Sequence, residues 1–176
     1  MNHPDFTGRP IREVIDYMVK GDREAGDFIE KLFCVVHQWD DLMDGDKPVD
    51  LGLLMYGAMV YLPADPFYQR HFHTLSPLIE IGIMSWLTAN KLEATDKRSD
   101  KEISFIIRSD HLNVTLMVIR IVAGWEWAQE MAVLGRHHAH SEGLDGYIAN
   151  LEIQRRAAAS AKVAAAEEAL GQIPKE

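Results

Sequence analysis

Cysteine is almost missing: Cys34 stands alone in 176 residues, so an internal disulfide is excluded and a reducing, cytoplasmic setting is expected. Its apolar neighbourhood reads as a small core position. Basic residues are scarce as well, 18 Lys and Arg against 27 Asp and Glu. The resulting charge of -9 opposes direct attraction to nucleic acid, because little counterion release would reward the contact, and to an anionic membrane. No apolar run reaches the ~18 residues of a spanning helix; the longest, Leu51 to Pro63, falls short, and no basic-then-apolar leader opens the chain. Strict period-two alternation over β-branched stretches is missing, which removes support for strands. P-loop, GxGxxG, CxxC and HExxH patterns and solenoid-length repeats are missing too. What remains is a soluble all-α protein.

What the chain does have is 47% hydrophobic residues, enough for one domain with a real core. A helical bundle of six or seven helices is expected, with residues 1–146 as its body and an Ala-rich helix over 147–176 packed on the body or on a partner. Pro10 suits the first turn of a helix to about Lys20, closed by Gly21. Asp22 caps a second helix through Asp44, where Gly45 stops it. Leu51 to Leu62 reads as a third helix, apolar around its circumference and therefore expected in the core, with Pro63 and Pro66 closing it. Ser76 and Pro77 start a helix to about Ala94. Ser99 with Glu102 forms a capping box for another, to about Ala123. A short helix over Trp125 to Leu134, a His- and Gly-bearing loop over Arg136 to Gly146 and a last helix from Leu144 complete the chain.

The second helix carries the chemistry. At about 100° per residue, Asp27, Glu30, Cys34, His37, Asp41 and Asp44 fall on one stripe, opposite an apolar stripe centred on Leu32 and Trp39. A solvated face would explain the charged stripe without a ligand. Acids at a helix C-terminus, however, face the negative end of the macrodipole and cost a few tenths of a kcal/mol each. Water, a basic group or a divalent cation must offset them, and hard oxygen donors at this spacing suit Mg²⁺.

The stretch Val36-His37-Gln38-Trp39-Asp40-Asp41-Leu42-Met43-Asp44-Gly45-Asp46 resembles the first aspartate-rich motif of class I isoprenoid diphosphate synthases and terpene synthases. The resemblance implies a reduced isoprenoid-synthase-like fold in which Asp40, Asp41 and Asp44 bind Mg²⁺, Asp46 stands behind them, and the metal holds a small-molecule diphosphate as leaving group. It covers about a dozen residues. Those synthases are much longer chains, and their second metal motif has no match in Ser99 to Glu130. A divergent relative acting on another diphosphate, or a non-catalytic one, follows.

A second polar set lies on the apolar stretch from Ser99 to Ala123, where Arg108, His111 and Thr115 are spaced to share one side. Arg108 and His111 are candidates to clamp a diphosphate or to pair with the acids of the second helix. As plain structure they would be an ion pair and a core histidine. His37, one turn before Asp41, is a candidate to orient a carboxylate or act as general base, and otherwise a solvated residue. His71, His73, His137, His138 and His140 fit no helix face as zinc ligands, and Trp125 and Trp127 read as core or interface anchors.

Three functions stay open. One is a Mg²⁺-dependent enzyme transferring or removing diphosphate, with Asp40, Asp41 and Asp44 on the metal and Arg108, His37 and His111 around the substrate. Another is an all-α nucleotide pyrophosphatase using Asp27, Glu30, Asp41 and Asp44. The third is a non-catalytic acidic interaction or assembly protein, forming a homo-oligomer through its C-terminal helix or binding other chains.

Overall fold

A computed structural model describes residues 3–4, 6, 8–45 and 47–171, with the backbone alone at 158–159 and 161–171. It is all-α, and no strand occurs among the described residues. Helix α1 (Ile11–Met18) follows Pro10 and ends where Lys20 and Gly21 take positive φ. Asp22 accepts the Ala25 N–H at 3.0 Å and starts α2 (Arg23–Asp44), which stops at Gly45, φ 71°, whose N–H reaches Asp41 O at 3.0 Å. These are the expected cap and stop.

Asp50 caps the short α3 (Leu51–Tyr56), which runs on into a π-helical turn over Gly57–Tyr61, marked by the Leu62 N–H to Gly57 O bond of 2.9 Å. Pro66 does more than close this stretch. With Asp65 as cap it opens α4 (Pro66–Arg70), a proline at the first helical position. Helix α5 (Phe72–Glu93) starts before the expected Ser76 and carries Pro77 as its sixth residue, past the first turn, where proline cannot donate to the carbonyl one turn back.

The expected helix from Ser99 to Ala123 is two helices, α6 (Arg98–Ile107) and α7 (Leu112–Ala123). Ser109 Oγ donates to Ile106 O at 3.1 Å, a local side-chain bond that competes with the helical ladder, and Asn113 Nδ2 reaches Asp110 Oδ1 at 3.4 Å beside it. Helix α8 (Trp125–Ala139) takes up the first part of the expected 136–146 loop, and α9 (Gly143–Gly171) follows.

The chain forms two compact units. One comprises Met1–Met84 with Asp110–Arg136, the other Ser85–Ser109 with His137–Glu176. The core of the first joins Val14 and Ile15 of α1, Phe28 and Ile29 of α2, Ile119 of α7 and Met131 of α8. Each such side chain contributes about 1.5–3 kcal/mol on burial. Trp127 anchors α8 to the end of α1, its Nε1–H donating to Met18 O at 2.8 Å with the ring edge-on to Tyr17. In the second unit Tyr147 of α9 is buried against α6, sharing a 2.5 Å hydrogen bond with Ser104 and donating to Glu93. Arg155 ties α9 to the turn after α5 through Glu93 O, Thr95 O and Asp96.

Candidate functional site

The first half of α2 is its deeply buried part. Ala25, Phe28, Ile29 and Leu32 are buried, whereas Trp39 is 47% exposed and Met43 more so. The apolar stripe therefore leaves the core in its last turns. Cys34, expected inside, is exposed, with Gln38 Nε2–H directed at its sulfur at 3.1 Å.

Asp40, Asp41 and Asp44 share these last turns. Asp41 is half-buried and is met by Lys47 Nζ at 3.1 Å, so a basic side chain offsets the charge of that carboxylate. Asp40 is half-buried, Asp44 is exposed, and both have partners of their own. Asp46 lies outside the described residues. Among the described residues no three His, Cys, Asp or Glu side chains are gathered to hold a metal ion.

The acids at the start of the stripe are engaged from α1. Arg12 Nη1 donates to Asp27 at 2.7 Å and to Glu30 at 2.8 Å, and its Nε donates to Asp16 at 2.8 Å. Donating to Asp27 and then to Glu30 raises the guanidinium further above its ordinary value, against a desolvation that lowers it. Gly26 eases the approach, since a Cβ there would lie 3.2 Å from Arg12 Nη2. Asp27 and Glu30, candidates for a pyrophosphatase site, are thereby bound in a helix-to-helix ion cluster.

The break between α6 and α7 separates the second polar set. Arg108 belongs to the second unit, where Nη1 donates to both oxygens of Glu93 at 2.8 and 3.0 Å, next to Tyr147 and Ser104. Burial, then the hydrogen bond to Glu93, pushes the Tyr147 phenol well above its usual range. Arg108 therefore forms an ion pair with Glu93 within a connected polar network. His111 belongs to the first unit, edge-on to Phe33 with centroids 5.9 Å apart. His37 lies against the same ring at 6.0 Å. Thr115 is 2% exposed, and its Oγ1 has no hydrogen-bond partner among the described residues.

What sequence reasoning misplaced is residues 51–62. Leu54 and Leu62 are buried and Gly57 packs on Val35, but Leu53 is 63% exposed, Met59 is 71% exposed, and Leu51, Met55 and Val60 are exposed beside them. Tyr56 and Tyr61 stack, centroids 6.4 Å apart, and Lys31 Nζ lies 4.7 Å from the Tyr61 ring centre. The same Lys31 pairs at 2.6 Å with Asp65, which also accepts the Phe67 and Tyr68 N–H groups. A segment with one charge between Lys47 and Asp65 is thus held by a few contacts and turned mostly to water. Among the described residues no helix is long and apolar enough to cross a membrane. No family model matches the chain, and neither a curated protein nor a solved structure matches it.

Proposed function

We propose that the protein acts by association, presenting the apolar helical segment 51–61 to another protein chain, and that it is a helical interaction or assembly protein. One observation carries this: a helix apolar on nearly every side stands in water on an acidic chain. Such helices are stable in a core, a membrane or an interface. The first is ruled out by the exposure of Leu53 and Met59. A membrane surface is disfavoured by chemistry, since an interfacial helix carries Lys or Arg on a polar face and is drawn to anionic lipid, and this segment has neither feature.

The π turn supports the reading. Widened turns of this kind occur mostly at functional positions, and here one sits inside the exposed stretch. The exposed Trp39 and Met43 at the end of α2, which packs against the same segment, extend the apolar character. Methionine is suited to such a surface, being flexible and polarisable enough to fit a partner.

The test is a photoreactive residue placed at position 59 and, as control, at position 126, an exposed site on α8. Cross-links to a protein partner, located by mass spectrometry, are expected from 59 and not from 126. Equal yields, or none from 59, would refute the association function.

A further inference from the structure

We infer that the occupant of the 51–61 surface is a second copy of this chain, meeting the first through the same segment; this rests on the association function proposed above and names its partner.

Area is the first argument. Seven large apolar side chains are exposed over residues 51–61, and they offer roughly 800 Å², about what each partner gives to a stable interface of standard size and more than the largest apolar patch of an ordinary monomer.

Charge is the second. Two copies at -9 each repel wherever their acids face one another. Between Lys47 and Asp65 the only charged residue is Asp50, whose carboxylate is turned to the Gly52 and Leu53 N–H groups at 2.8 and 3.1 Å. This is therefore a face on which two acidic copies can meet with little like-charge cost. A different partner is commonly selected by a charge pattern, and the segment offers none.

Shape is the third. Gly52 and Ala58 are exposed in the same stretch as Leu53, Met55 and Met59, with open space over Gly52 beyond its own cap. One patch then carries both protrusions and notches, as ridge-into-groove packing of a self-complementary twofold contact requires.

Sedimentation equilibrium of the full chain over a micromolar range, combined with the oxidation rates of Met55 and Met59, tests this. The expected result is a species of about twice the 19.9 kDa chain mass, tighter at higher salt as the acidic copies are screened. Oxidation of both methionines should slow as concentration rises. Met59→Glu should raise the dimer dissociation constant about thirtyfold or more, with the helical circular dichroism unchanged. Leu53→Lys should do the same, and the wild-type oxidation series needs no variant to fold. A monomer throughout, with both methionines oxidising freely, overturns the second copy and leaves association with another protein standing. A monomer with both methionines resistant overturns the two together.

Discussion

Asp65 holds three things at once: the end of the exposed segment, the start of α4 and the ammonium of Lys31. It is 3% exposed and accepts from Lys31 Nζ, Phe67 N and Tyr68 N. Asp65→Ala removes a helix cap and leaves a cation paired with nothing at this position, so a loss of about 3 kcal/mol or more is expected in denaturant unfolding. The hydrogen bond to Asp65 raises the Lys31 ammonium above its usual value, against the desolvation that lowers it. A base raised on folding contributes stability that is complete below the unfolded value and is lost as pH rises through the folded one. The gap between the wild type and Lys31→Met should therefore stay constant to about pH 10 and narrow above it; narrowing already near neutral pH would contradict the pairing. Thr115→Val is expected to raise stability by about 1 kcal/mol, because the buried hydroxyl makes no hydrogen bond among the described residues. Lys47 against Asp41 predicts that millimolar Mg²⁺ leaves the melting temperature unchanged. A rise abolished by Asp41→Ala would instead restore the metal site that the Asp-rich motif implies. At this scale the sequence was only partly legible. The Asp65-Pro66 pair carries an N-cap and first-turn signal, yet Arg12 with Asp27 and Glu30, eighteen residues apart at most, meet across two helices, and no spacing rule within one helix finds them.

Helix boundaries were legible where a local signal sets them and illegible where neighbours do. Asp22 and Gly45 bracket α2 as expected, since capping and positive φ are properties of the residues themselves. Gly45→Ala should cost about 1 kcal/mol in thermal unfolding for that reason alone, as open space surrounds the position but φ is 71°. The break at 108–111 went unseen because Ile106, Ile107 and Leu112 continue the apolar pattern across it, while the Ser109 side chain bonds the Ile106 carbonyl. That break sends Arg108 to one unit and His111 to the other. Period and polarity show which face of α2 could be buried, but not how far along its length a neighbour covers it. Trp39 and Met43 are outside because packing ends earlier than the pattern does, and Cys34 because it lies on the charged stripe.

For the whole molecule, all-α architecture followed from composition and from the missing alternation, whereas the place of residues 51–61 did not. Apolarity on all sides argues for shelter without saying where the shelter comes from, and an isolated sequence assigns it to its own core by default. The structure puts it outside, and acidity elsewhere makes this neutral face the natural meeting place of two chains. The most direct measurement is the rate of methionine oxidation in the full chain at concentrations low enough to keep copies apart, read at Met59 against the fully buried Met131. The account predicts that Met59 reacts nearly as fast as in a free peptide while Met131 stays protected; equal protection of the two would show the segment already sheltered within one chain and would contradict it.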